Sequence, residues 1–260
     1  MALAIRGGPW WDAPNVRFAN VAGRGEWSPV SAERRVRMLA LLAEGGAEVT
    51  PRRLCEVCNE VAGVTGGGIM LMSGDIAQGS LCSTDSVSAL IEELQYALGE
   101  GPCVDAYHHD RPVLEPDLAR PATVRWPAFA GPAIDAGVRG IFGFPLRVGA
   151  VRLGALNLYS DRPGPLGDDQ HANALVAADI AAGAILALQA NAPPGTLAAE
   201  LAAGADFQYV IHQAAGMVAA QLDVSVGQAL IRLRAYAFGN DRPLAQVAED
   251  VVARKLRLDG

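Results

Sequence analysis

Six cations and a tyrosine crowd the C-terminal end of the chain: Arg232, Arg234, Tyr236, Arg242, Arg254, Lys255 and Arg257. Guanidinium and ammonium groups hold phosphate oxygens, and a tyrosine ring can stack on a base, so this set fits contact with nucleic acid. A core position for Tyr236 is the competing reading. Arg254, Lys255 and Arg257 also fit a solvated helix end, where cations favour the dipole. Cysteine is the other reactive residue. Cys55 and Cys58 form a C-x-x-C, but LCEVCNEVA reads as a helix that sets both on one face. A metal would need further ligands at short spacing, and no second C-x-x-C or histidine pair follows. With Cys82 and Cys103 these residues are expected to be buried and structural, redox or metal chemistry being the alternative. No phosphate loop, H-E-x-x-H or G-x-S-x-G motif appears.

The bulk numbers constrain what those cations can do. The 260 residues are 51% hydrophobic with a net charge of −7, which excludes a disordered chain and a protein coated in positive charge. The imbalance is local: residues 206–260 hold six acids and six bases, so the remainder carries the whole deficit, 15 bases against 22 acids. Any nucleic-acid contact is therefore expected in the C-terminal part. MALAIRGGPWW has no apolar run of the signal-peptide kind. ALVAADIAAGAILAL (residues 174–188) is the longest membrane-like stretch, but Asp179 and its many alanines fit a packed helix better. A soluble, cytoplasmic protein with no membrane partner is expected.

The elements that must position these side chains fall into two groups. Residues 1–30, with Trp10, Trp11 and Trp27, read as a Gly- and Pro-rich tail. A helix from Ser31 would set Val36, Leu39 and Leu42 on one side, and Pro51 opens a second helix ending near TGGG, residues 65–68. GIMLM (68–72) and IAQGSLCS (76–83) read as a hairpin, followed by a helix over Val87–Leu98. A glycine turn at GEGPC, a short helix, a strand at PVLEP and a helix over Trp126–Gly137 come next. Two strands span Arg139–Asp161 with a turn near Gly149, and an alanine-rich helix covers Asp168–Gln189. Helices flanking an antiparallel sheet make residues 31–190 an α+β domain. APPG (192–195) marks a break within a 191–205 linker and lead-in, and residues 206–260 form an all-α unit of three helices.

In the first of those helices Phe207, Val210, Ala214, Met217 and Gln221 are spaced as a heptad seam, extended loosely by Leu197 and Leu201. Gly216 inside it implies close approach of another helix or of a ligand backbone. Ser225-Val-Gly-Gln228 has the form of a capping box and starts a second helix, with Val226, Leu230, Leu233 and Ala237 as its apolar face. Arg232 lies opposite that face and Arg234 toward its border. Pro243 opens a third helix whose core face is Leu244, Val247 and Val251.

These residues carry a resemblance. Gln213-Ala214 with Gly216-Met217, Ala229-x-x-x-Leu233-Arg234-x-x-Ala237, Arg242-Pro-Leu, and Val247-Ala248 with Val251-Val252 resemble an ANTAR domain over about 50 residues without gaps. Upstream, GEGPC, RPVLEPDL, WPAF and PLRVGAVRLGALNLYS resemble a GAF domain over roughly residues 35–190. Together the pair looks like the actinobacterial GAF–ANTAR transcription antitermination regulators. Many ANTAR domains read A-K-G where this chain reads Ala214-Ala215-Gly216, which puts phosphate contact on Arg232, Arg234, Arg242 and the RKLR cluster.

The ANTAR resemblance implies binding to paired RNA hairpins near terminators, with Arg232, Arg234, Arg242, Tyr236, Arg254, Lys255 and Arg257 as contacts. Two hairpins need two bundles, so a homodimer is expected. The GAF resemblance implies a small-molecule effector that the sequence does not name, or a purely structural role, with no other cofactor and no metal. Cys103, Tyr107, Trp126 and Phe129 fall where GAF pockets gather side chains, and His108, His109 and Arg111 near the mouth would suit an anion. Two alternatives stand beside this non-enzymatic regulator. One is a methionine sulfoxide reductase pairing Cys103 with Cys82; the other is a dimeric scaffold acting on protein partners without RNA.

Overall fold

A computed structural model describes residues 29–44, 49–73, 76–120, 125–191, 206–240 and 242–258. The three tail tryptophans, the APPG break, Leu197 and Leu201 lie outside them, as does the side chain of Phe207. The α+β part runs α1 (Pro29–Ala43), α2 (Pro51–Ala62), β1 (Gly66–Ser73), β2 (Ile76–Ser83), α3 (Ser86–Leu98) and α4 (Pro102–His109). It continues with β3 (Val113–Glu115), α5 (Pro127–Asp135), β4 (Gly140–Val148), β5 (Val151–Ser160) and α6 (Asp168–Asn191). The helical part is α7 (Asp206–Leu222), α8 (Val226–Gly239) and α9 (Leu244–Val252).

The five strands form one antiparallel sheet in the order β2-β1-β5-β4-β3. Side chains alternate between its faces. Ile69, Leu71, Phe144 and Leu156 point toward α1, α2 and α6, while Ile141 and Tyr159 meet α3, α4 and α5 on the other side. Local chemistry fixes the helix ends that aim α2 and α3. Thr50 accepts from Arg53 N at 3.2 Å and Asp85 from Ser88 N at 2.7 Å, and Gly63 and Gly99 close the two helices in the left-handed region.

Several expectations need correction. The triple glycine belongs to β1, not to the end of α2. Its reason is packing: a Cβ at Gly68 would sit 2.8 Å from the Glu92 carboxylate on α3. Val36 is exposed; the buried side of α1 is Met38 and Leu42, because α1 leans on α2 and α6 through that flank. Cys82 does not pair with Cys103. It is bonded to Cys55, 27 residues away, because α2 crosses the β1–β2 hairpin; Cys58 and Cys103 are free and buried. Helix α6 is long and apolar enough to cross a membrane by length and composition, yet half of it is buried within the protein. Asp179, its charged interruption, pairs with Arg35 of α1.

The heptad seam of α7 is also replaced. Its buried face is Ile211, Ala214, Ala215 and Val218, with Val210 and Met217 only partly covered. A helix flanked by two others presents a broad face rather than a narrow two-position stripe. Gln221 Nε2 instead donates to Leu258 O at 2.6 Å, pinning the chain end. Gly216 faces open space: among the described residues nothing lies within 4 Å of a Cβ built there, so no helix of this chain approaches it closely.

Candidate nucleic-acid interface

Helix α8 begins as its sequence dictates. Ser225 Oγ accepts from Gln228 N at 3.2 Å and Gln228 Oε1 from Ser225 N at 3.1 Å, a complete capping box. That start fixes the rotation of the helix. Ala229, Leu230, Leu233 and Ala237 turn into the bundle, and Arg232 turns to water without a hydrogen-bond or ion-pair partner among the described residues.

Arg234, two residues on, has a different environment. Its guanidinium lies against α3, donating to Tyr96 O and sitting 5.8 Å from the Tyr96 ring centroid. A Cβ at Gly99 would come within 2.8 Å of its Nη1, so the glycine that caps α3 also makes room for this side chain. Burial depresses its basicity, the nearby tyrosine opposing that trend, and its Nε is buried without a partner among the described residues. His212 of α7 completes the junction, with Nε2 3.3 Å from Tyr96 Oη and 3.4 Å from Gln78 O. Burial pushes the Tyr96 phenol up to about 12 despite the arginine, so it remains a neutral hydroxyl at this contact. Arg234 is thus not an open RNA contact in this arrangement.

The remaining cations divide likewise. Arg242 is engaged inside the bundle, its Nη2 2.6 Å from Asp250 Oδ2. Tyr236 is half-buried against the bundle core, the competing reading of that residue. Arg254, Lys255 and Arg257 are exposed at the end of α9. Arg254 takes the left-handed position (φ 57°) of a Schellman-type stop, with Arg254 N bonded to Val251 O and Lys255 N to Asp250 O. Ala215, where a lysine would stand in many ANTAR domains, is fully buried; no surface cation could be carried there in this packing.

On the α+β side the four expected pocket residues are all buried, Tyr107 in one core cluster and Trp126 and Phe129 in another. Trp126 and Phe129 pack edge to face at 6.1 Å in the α3–α5 core, with Trp126 Nε1 donating to Asp105 Oδ2 at 3.1 Å. Tyr107 is buried in the cluster that α7–α9 share, under the Arg152 guanidinium at 4.9 Å. Cys103 is buried, and desolvation, reinforced by Glu92 once that carboxyl ionises, raises its thiol well above the usual range, which leaves it unreactive. His108, His109 and Arg111 are exposed. An open cleft of about 380 Å³ lies elsewhere, between Gly63, Phe142, Asp161 and Gln170. Among the described residues no cluster of His, Cys, Asp and Glu is gathered to hold a metal.

Sequence reasoning missed a buried polar set on α3. Ser88, Ile91, Glu92, Gln95 and Tyr96 follow one helical face, and that spacing was the available signal. Gln95 Oε1 accepts from Cys103 N at 2.7 Å. Both Glu92 carboxyl oxygens, Asn157 Oδ1 and Gln95 Nε2 are buried without a hydrogen-bond partner among the described residues. Burial lifts the Glu92 carboxyl to about 8; Asn157 lies close enough to ease that rise but makes no well-formed hydrogen bond to it. Glu92 is therefore mostly a neutral acid at pH 7.

The comparisons agree with this two-part architecture. The GAF domain family matches residues 33–186 and the ANTAR domain family matches residues 199–252. No curated protein matches the chain. Solved structures similar to it include the GAF domain of a phosphoenolpyruvate-protein phosphotransferase from Coxiella burnetii: 14% identity, 61% of this chain and 96% of that one, TM-score 0.46. The corresponding Acinetobacter domain gives 13% identity, 63% and 98% coverage and a TM-score of 0.47. The free methionine-R-sulfoxide reductase of Neisseria meningitidis gives 16%, 66%, 100% and 0.45. These structural likenesses are too loose to carry an argument. The family matches, which span more than half of the chain, are sufficient: this chain belongs to the GAF domain family and joins its GAF domain to a C-terminal ANTAR domain, as GAF–ANTAR regulators do.

Proposed function

We propose that this protein is a cytoplasmic, non-enzymatic antitermination regulator whose ANTAR bundle, as a homodimer, binds paired RNA hairpins under control of the GAF sensor. The observation that carries the control is the partial burial of Arg234 against Tyr96 on the C-terminal turn of α3, one turn beyond Glu92 and adjacent to Gln95. A small-molecule effector that repositions α3 would free or hold Arg234 and change how the bundle meets RNA. In the docked form Arg232 is the first phosphate contact, with Arg254, Lys255 and Arg257 beside it.

The test is anisotropy of a labelled two-hairpin RNA titrated with full-length protein at several salt concentrations, against the same RNA with scrambled loops. Loop-dependent binding that weakens with salt, and a shallower salt dependence for Arg232→Ala, are expected. Equal, feeble binding to both RNAs would instead favour the scaffold reading, for which the engagement of Arg234 and Arg242 within the chain is the supporting observation.

A further inference from the structure

The outward side of α8 carries two large apolar side chains that neither the bundle nor the GAF domain covers. Phe238 is 69% exposed and Ile231 63%. Seven residues apart, they stand two turns from each other on one flank of the helix, roughly 10 Å along its axis. Exposed Ala235 lies between the flanks, and Arg232 occupies the other one. The sequence of α8, VGQALIRLRAYAFG, contains no acid, so the helix itself adds no negative charge to this face.

We infer that this face seats unpaired bases of an RNA loop, with Phe238 as the stacking platform, Ile231 as an apolar neighbour and Arg232 on the adjoining phosphate. The inference rests on the RNA-binding reading above and deepens it. Flanks of this chemistry match a loop nucleotide, which offers a flat apolar face beside a negative charge. A second copy of the chain fits the patch less well. Two partly exposed side chains present on the order of 250 Å², about a third of the ~800 Å² per partner of a standard interface. A cation on the same face would also meet itself across a two-fold axis, where RNA phosphate would neutralise it.

The experiment uses full-length protein and a two-hairpin RNA with 2-aminopurine at one loop position. Wild type, Phe238→Ala, Phe238→Leu, Phe238→Trp and Arg232→Ala are compared across a salt series, with sedimentation of each variant. Phe238 is exposed, so its variants are expected to fold, and circular dichroism checks that. Stacking predicts that Phe238→Ala and Phe238→Leu bind roughly 5- to 150-fold more weakly at every salt. The salt slope should be unchanged, the 2-aminopurine signal should be lost, and Phe238→Trp should bind like wild type. Arg232→Ala should flatten the slope. Wild-type binding with an unaffected Phe238→Ala overturns the inference and leaves the RNA function standing. Phe238→Leu binding like wild type removes stacking, and a halved particle mass for Phe238→Ala reassigns the face to a contact between copies. No loop-dependent binding by wild type overturns both proposals.

Discussion

The GAF unit buries a core on each face of its sheet and ties α2 to β2 through Cys55–Cys82. The ANTAR unit has only three helices, and its buried side chains are mostly alanines, valines and leucines. Its core does not end at its own helices: it runs on into Met70, Met72, Tyr96 and Tyr107 of the GAF unit. A bundle this small removes too little apolar surface from water to be stable by a wide margin, and the sheet's second face supplies the rest. Borrowed stability means coupling. Tyr96 of α3 stands in that shared core and also holds Arg234, so α3 touches both.

The largest effect that would test this contrast starts on the GAF side. Reducing Cys55–Cys82 releases a loop of 27 residues, and the GAF unit should lose roughly 3–4 kcal/mol. Thermal melts with and without reductant, and of Cys82→Ser, would show it. A single transition moving as a whole sharpens the comparison, because the bundle shares its core with the GAF unit; two separate transitions, of which only the GAF one moves, break it.

Next comes pH. The Glu92 carboxyl is held at about 8 against an ordinary 4.5, so the folded state prefers the neutral acid. Its contribution is complete below pH 4.5 and is lost as the pH rises to about 8. Glu92→Gln should therefore flatten the decline in stability over that window and exceed wild type at its upper end. Parallel pH profiles for the two proteins would show that Glu92 is not held as a neutral acid. The smallest effect is at the junction. Gly99→Ala places a Cβ in the left-handed region and 2.8 Å from Arg234, at a cost of about 1–2 kcal/mol. Amide exchange should quicken in α8 while β4 and β5 stay protected; unchanged exchange in α8 would deny that the bundle leans on α3.

Much of the fold was legible because it is written locally. Ser225 with Gln228 and glycines at helix ends set boundaries by contacts within a few residues, and short apolar runs between turn residues mark β1, β4 and β5. The α7 seam misled because heptad spacing does not say how many partners flank a helix. The candidate site was legible only in kind. Sequence marked a basic, tyrosine-bearing helix, and periodicity alone turned Arg232 outward.

That Arg234 is held by Tyr96, 138 residues away, and His212 by the same residue, 116 away, is no property of either segment. Nor is the meeting of Cys55 with Cys82, or the burial of Cys103, Tyr107, Trp126 and Phe129. By itself the sequence determined the element types, the caps, the two domain families and the charge placed on α8. Tertiary structure decided which arginine faces water, which cysteines pair and which carboxyl is buried neutral. Those outcomes depend on desolvation and on distances between chain segments, which the packed fold alone defines.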